Sequence, residues 1–335
     1  MAWTEGLCAA IQETLNNILK DKSPLFTRTQ TGYLDAVISP YNTAGVTKIP
    51  VDPGNGKIKT VRLTYFQKGC EDDIGEECMG SDCEGTDARS PKESVVEVNN
   101  CISTKGTIFD EADMRKLCEP DSAFLKQYIA SELDPMMVAL NRRLITVQAL
   151  NFGAFVPAAA APMQVDMMTA NIPIYIGEKR VLEQFQNLGI SAQPMLIGNG
   201  LLDDYTMINK VGCCNAAGVD HSRVGNYQYY RDRFVGGILG NANDFIGLAP
   251  GYVQLLTWNK NKGDYRKVND VFSHDTFVDP KTGLEIDLDI VYNPCTSKYF
   301  MQIGFNWELW FLPTDSFQYC DENYNVNYTL HFRAI

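Results

Sequence analysis

The sequence predicts an α+β fold in which a β-hairpin arm projects from a body that ends in long strands. Three observations support this. Between Lys57 and Leu150 the chain runs strand, acidic cysteine-rich excursion, strand, short helix and one long helix, an order that does not close by itself into a compact enzyme core. The long helix carries apolar residues in unbroken helical steps. The C-terminal part of the chain, from Phe277 onward, alternates apolar and polar residues as strands do.

Each element follows from its residues in turn. Trp3, Leu7, Ile11, Leu15 and Ile18 recur at helical spacing with polar residues between them, so the first helix is amphipathic rather than a secretory signal. Residues 23–56 hold Pro24, Pro40, Pro50 and Pro53 with little periodicity and read as an extended arm lying over a surface. Val61, Leu63 and Tyr65 then alternate with Thr60, Arg62 and Thr64, and Val96, Val98 and Ile102 share one face of a return strand. Between these strands, Cys70 to Asp87 carries eight acidic residues and only Ile74 and Met79 as large apolar side chains besides cysteines, so the tip cannot bury a core of its own. An isolated hairpin of this kind is marginal in water. The expectation is that another subunit supports it.

Asp110 is placed to cap a short helix whose apolar side is Met114, Leu117 and Cys118, with Asp113 near its positive end. From Ser122 to Leu150, apolar residues fall at Leu125, Ile129, Leu133, Met136, Leu140, Leu144 and Val147. This spacing predicts a helix about 43 Å long at 1.5 Å per residue, kinked at Pro135. The Ala/Pro/Met segment 154–173 reads as a domain boundary. Beyond it come a helix over 177–188 ended by Gly189, a short buried strand over 194–197 and a second helix over 201–211, a local α/β pattern. Phe245, Leu248, Tyr252 and Leu255 suggest a helical stripe over 241–256, interrupted at Pro250-Gly251. The turn Asp279-Pro280-Lys281-Thr282-Gly283 sets up a hairpin, and Tyr299, Met301, Ile303, Phe305, Trp307, Leu309 and Phe311 occupy every second position of a long strand that Pro313 ends.

With 335 residues and 45% hydrophobic content, the chain can bury a substantial core, in two domains or in one with large excursions. A formal net charge of −12 without clustered Lys and Arg argues against a dedicated nucleic-acid binder; any nucleic-acid contact is expected to be local and weak. No apolar run is long enough to span a bilayer, so a soluble protein made in the cytosol is expected. Its ten cysteines are then read first as reduced thiols. Cys70, Cys78, Cys83, Cys101 and Cys118 contain no C-x2-C pair; a structural metal and disulfides formed after assembly are the competing readings. His221, His274 and His331 lie far apart, and no phosphate cradle, dinucleotide turn or nucleophile elbow occurs. Cys213-Cys214 read as small buried residues before a reactive pair, Asp203-Asp204 as solvated helix acids as readily as a cation site, and the acidic tip as a solvated loop rather than a calcium loop. No catalytic, cofactor or metal residue is assigned, and the chain is not expected to be an enzyme.

The order of elements resembles the major capsid protein of tailed bacteriophages, the HK97-like fold. The resemblance spans nearly the whole chain and is most specific in Phe277-Val-Asp-Pro-Lys-Thr-Gly-Leu-Glu-Ile-Asp-Leu-Asp-Ile-Val-Tyr292, in Leu248-Ala-Pro-Gly-Tyr-Val-Gln-Leu-Leu-Thr-Trp258 and in Ile108-Phe-Asp-Glu-Ala-Asp-Met-Arg-Lys-Leu-Cys118. It implies an α+β capsid fold with an N-terminal arm over 1–56 and an extended loop, the E-loop, over 57–104. A peripheral domain would take 105–170 and 266–312, with a spine helix over 122–150, and an axial α/β domain would take 171–265 and 313–335. The implied function is self-assembly, as hexamers and pentamers, into the icosahedral shell that encloses the phage's double-stranded DNA, assembled in the bacterial host cytoplasm and carried in the virion. The implied partners are other copies, a portal, scaffold or decoration proteins, and packaged DNA through weak inner-surface contacts, with no cofactor and no membrane. Some members crosslink a Lys to an Asn; no such pair matches here position by position. The inter-subunit contact candidates are Val61, Leu63, Tyr65, Cys70, Cys78, Cys83, Val96 and Val98, the cysteines as crosslinks formed after assembly. A phage tail-tube protein, another virion protein and an encapsulin-like nanocompartment shell are the alternatives of related class, and a cytosolic enzyme using Cys213 or a histidine is the alternative of another.

Overall fold

One long helix and one long strand organise the chain. The computed structural model describes residues 10–17, 31–42, 47–51, 59–65, 91–117, 122–152, 162–169, 172–173, 175–190, 192–209, 221–224, 227–260, 272–313 and 328–335.

Helix α1 covers residues 10–17 and buries Ile11 and Leu15, the pair spaced four apart in the sequence. The segment read as an arm of little periodicity holds more structure than that. Within it lie α2, Gly32–Ile38, a 3-10 turn at Pro40–Asn42 and strand β1, Thr47–Val51. Strand β2, Thr60–Tyr65, pairs antiparallel with β1 on one side and with β3, Lys92–Glu97, on the other, so the expected hairpin is part of a three-stranded sheet. The return strand breaks after Glu97. Its continuation, β4 Asn100–Ser103, turns away to pair elsewhere, which takes Ile102 off the face it was expected to share with Val96.

Strand β5, Thr107–Phe109, leads into α3, Glu111–Leu117, whose N-terminus is held as expected by the Asp110 carboxylate accepting from Asp113 N at 2.7 Å. Helix α4, Ala123–Ala149, starts where Ser122 Oγ accepts from Leu125 N at 3.1 Å. Its 27 residues make it about 40 Å long. It runs on through Pro135, which sits on its exposed side.

Strand β6, Met163–Val165, and the small pair β7, Met168–Thr169, and β8, Ile172–Pro173, precede α5, Tyr175–Asn187. Gly189, at φ 72°, ends that helix region. Strand β9, Met195–Gly198, α6, Leu201–Asn209, β10, His221–Val224, β11, Tyr227–Arg231, α7, Val235–Leu239, and β12, Asp244–Leu248, follow. A six-stranded sheet runs in the order β10-β11-β9-β12-β17-β6, where β17 is the terminal strand Thr329–Ala334. Strands β9 and β12 are buried at every residue, as strands covered on both faces are. The helical stripe expected over 241–256 is instead β12 and a further strand, β13 Val253–Trp258. A run buried on both sides has no polar face to reveal its period, and Pro250-Gly251 make the turn between the strands.

The other large sheet is built on β16, Lys298–Phe311, which pairs with β13, with β15 Glu285–Asn293, with β4 and with β5; β14, Phe272–Val278, completes it by pairing with β15. At 14 residues β16 is about 46 Å long. That length lets one strand template four others. Tyr299 lies between Tyr292 and Phe109, and Trp307 between Thr257 and Asn100. At Gly304 the strands cross closely: a Cβ there would stand 2.5 Å from Ile102 O. The β14–β15 turn is the expected one, with Asp279 Oδ2 accepting from Thr282 Oγ1 at 2.6 Å and Gly283 at φ 69°.

The arm is keyed into this body rather than draped on it. Asp232, wholly buried, accepts from Tyr33 N (2.9 Å), Asn141 Nδ2 (2.8 Å) and Phe234 N (2.8 Å), and Asn141 Oδ1 accepts from Leu34 N (2.8 Å). These satisfy amides that the start of α2 leaves without helical partners. Asn42 does the same for the next turn, donating to Val37 O and Val253 O and accepting from Gly251 N. Asp232→Ala would strand the four donors that meet it, Val235 N among them, so it is expected to lower unfolding free energy by about 3 kcal/mol or more. Urea denaturation followed by circular dichroism measures it, and a loss under about 1 kcal/mol would show that the node is not holding the arm.

Candidate inter-subunit contact surface

The three-stranded sheet has two unlike faces. Val61, Leu63 and Tyr65 are buried, and the Tyr65 ring meets Trp310 at 6.0 Å. Lys59 Nζ lies 5.8 Å from the centre of the Trp258 ring, and Val98, also buried, donates its N–H to Lys59 O at 2.6 Å. Val96 is partly buried against the same core. The root of the hairpin therefore leans on the chain's own β13 and β16. The alternating apolar face was read correctly, and at the root the cover expected from another subunit comes from within the chain; residues 66–90, the expected tip, lie outside the described residues. Of the contact candidates, Val61, Leu63, Tyr65, Val96 and Val98 are brought together on this inner face. Cys70, Cys78 and Cys83 lie outside the described residues.

The outer face carries Arg62, Glu93 and Val95. Arg62 Nη1 stands 3.7 Å from Glu93 Oε2, a solvated pair worth little by itself. Val95 lies directly across from Arg62 in the ladder and is 60% exposed. Strand β3 is the last of its sheet, so its far backbone edge pairs with no strand among the described residues. Lys92, Glu93 and Glu97 line that edge with charge. Val95 was missed in the sequence because alternation assigned Val96 and Val98 to the apolar face; the signal was an apolar residue on the side that should be polar. Two further large apolar side chains stand out, Ile108 on β5 at 64% exposed and Leu150 after α4 at 82%. Cys101 and Cys295 are free and exposed.

The residues examined for chemistry fall in separate places. His274 Nδ1 meets Asp289 Oδ1 at 2.5 Å on the β14–β15 ladder. His221 belongs to β10, and Cys213-Cys214 lie outside the described residues. Asp203 is a buried acid, not a solvated one: it accepts from Tyr229 Oη at 2.9 Å and pairs with Arg231 at 3.1 Å, while Asp204 is exposed. That buried acid and the loss of solvent push the Tyr229 phenol well above its usual range, with desolvation the larger cause. Among the described residues no three His, Cys, Asp or Glu side chains gather as a metal site.

No family model and no curated protein matches the chain. Solved structures similar to it include the cyanophage A-1(L) capsid asymmetric unit, 12% identical with a TM-score of 0.47, over 88% of this chain and 95% of that one. Mycobacterium phage Adephagia is 13% identical with a TM-score of 0.40, over 93% and 92% of the two chains. The capsid of an empty GTA particle is 10% identical with a TM-score of 0.41, over 85% and 93%. With TM-scores below 0.5 these are likenesses of general arrangement.

His331 offers a test of the terminal strand. Asp244, wholly buried, holds Arg333 through bonds of 2.6 and 3.1 Å and stands 3.2 Å from His331 Nε2. Phe152 stacks on the imidazole at 4.9 Å. Burial lowers the His331 pKa, and the neighbouring Asp244 only partly opposes it. The unfolded chain therefore takes up this proton first, near pH ~6.5, and the stabilisation from neutral His331 is full above that value and declines as pH falls through it. The stability advantage of the wild type over His331→Gln should be largest above pH ~7 and shrink toward pH ~5 in denaturant titrations. A gap that does not change with pH would contradict this.

Proposed function

We infer that the chain is the repeating subunit of a closed protein shell, a major capsid protein of the tailed-phage type, whose work is assembly rather than catalysis. The observation that carries this reading is β3. Its inner neighbours fix it to the body, while among the described residues its outer edge pairs with no strand and Val95 is exposed. A rigidly presented strand edge with an apolar side chain at its centre suits pairing with a second chain, because little order must be gained on contact. The segments that carry the sequence resemblance support the same reading: they form the β14–β15 hairpin, the β12–β13 turn region and the β5–α3 corner, which adjoin β16 or the strands beside it.

In this reading residues 1–56 serve as the N-terminal arm and 57–104 as the E-loop. Residues 105–170 and 266–312 form the peripheral domain with the spine helix α4, and 171–265 with 313–335 form the axial domain. Cys70, Cys78 and Cys83 belong to the far end of the E-loop, where thiols on adjacent copies would be free to crosslink after assembly. Contacts of this kind are individually weak. Spread over several neighbours they still close a stable shell, because each contact raises the effective concentration of the next. The partners are other copies as hexamers and pentamers, a portal, scaffold or decoration proteins, and enclosed double-stranded DNA; the place of work is the virion, reached by assembly in the host cytoplasm.

The purified full chain, examined by size-exclusion chromatography and negative-stain electron microscopy, is expected to form rings of five or six subunits or closed shells. A monomer that persists at high concentration overturns the reading, and open stacks of rings favour a tail tube instead. Val95→Lys is expected to leave the thermal midpoint of the subunit unchanged while weakening each pairwise contact about tenfold, the worth of burying one valine. Unaltered assembly by Val95→Lys would remove β3 from the interface.

A further inference from the structure

Arg142, on α4, and Arg233, between β11 and α7, converge on one aromatic ring. Their guanidinium carbons lie 5.5 and 4.7 Å from the centre of Phe234, which puts them no more than about 10 Å apart. Both side chains are exposed, and among the described residues neither has a carboxylate partner. The contrast with Arg231, two positions away and paired with Asp203 at 3.1 Å, is direct. The exposed residues along this stretch of α4 include Pro135, Arg142, Arg143, Thr146 and Leu150, with no acid among them, in a chain of net charge −12. Two like charges within about one Debye length repel each other, and the nearest acid, Asp232, is buried with its oxygens taken up by amide donors, so an anion at the surface is favoured between them.

The buried node described above sets their positions. Asn141 and Asp232, bonded to each other at 2.8 Å, immediately precede Arg142 and Arg233, and Asp232 also accepts from Phe234 N. The ring restrains both planar forks further by cation–π contact. The pair is thus preorganised for an anion with spaced oxygens. We propose that Arg142 and Arg233, braced on Phe234, form a phosphate-contact site for the backbone of double-stranded DNA. This rests on the reading of the chain as a shell subunit, and it gives the weak contact expected from the overall charge a specific location. Guanidinium forks match phosphate geometry, and a contact to the backbone alone needs no base sequence, which is what a container for an arbitrary genome requires.

The test titrates the full chain onto a short fluorescein-labelled DNA duplex across a salt series, with fluorescence anisotropy as readout and electron microscopy of the same samples alongside. Releasing two phosphate contacts should lower the slope of log K against log salt by about 1.8 in R142Q/R233Q. The control K105Q/K298Q removes the same charge from two exposed lysines on the other sheet, which have no acidic partner among the described residues, and should leave the slope as in wild type. No DNA binding by the wild type, an unchanged slope in R142Q/R233Q, or an equal fall in the control each overturns the proposal. So does a double variant that loses assembly while keeping its DNA slope, since the pair would then be meeting an acidic segment of a second copy. If the wild type forms neither rings of five or six subunits nor shells, the shell reading itself fails, a result the microscopy separates from the others.

Discussion

Asp232 is wholly buried and takes its hydrogen bonds from amides, not from a cation, and the structure depends on how its charge is met. Tyr33 N, Asn141 Nδ2 and Phe234 N donate to it at 2.8 to 2.9 Å, and Val235 N donates as well. Burial pushes its carboxyl above the usual range, and these donors pull it part of the way back. Because the donors come from α2, α4 and α7, one group fixes the arm, the long helix and the edge of the central sheet relative to one another. Removing any of the three would leave an acid buried with too few partners, which is far more costly than losing an exposed ion pair. The node is therefore a constraint on where the arm can go before any second copy is involved.

The same economy appears at β16. One strand of 14 residues accepts four partners, so the hairpin root, the β5–α3 corner, the β14–β15 hairpin and β13 are all registered against a single ladder. With Tyr65 against Trp310, the arm's apolar face is closed by that sheet. Among the described residues, what stands open includes the far edge of β3 with Val95 and single apolar residues such as Ile108 and Leu150. In the proposed reading, a subunit that meets several neighbours benefits from keeping its core closed and its contacts small, since large exposed apolar surfaces associate without register.

Period and turn chemistry made much of this legible in the sequence. Apolar steps of three and four located α4 to within a residue at each end, and Asp-Pro-Lys-Thr-Gly located the β14–β15 turn. Strict alternation located β16. Where the sequence misled, tertiary cover was the cause. The run over β12 and β13 is largely buried, so it has no polar side to show a period of two, and four apolar residues fell by chance at helical spacing. Strand β1 contains Pro50, which is tolerated because it lies at the edge of its sheet. The Asp232 node was invisible for another reason: Asp232, Asn141 and Tyr33 are 91 and 199 residues apart in its hydrogen bonds, and nothing local marks a buried acid as such. The contact candidates were real apolar residues on a real face, but a sequence shows that a face must be covered without showing by what.

The central claim is that the fold is complete within one chain while the work is done at an edge that only another copy can close. Amide hydrogen exchange on the dilute subunit and on the assembled particle separates the two. The account predicts that the amides of Tyr33, Leu34 and Phe234 are protected in both states, whereas those on the outer side of β3, around Val95, gain protection only on assembly. Protection at β3 already present in the dilute monomer, or no gain on assembly, would contradict it.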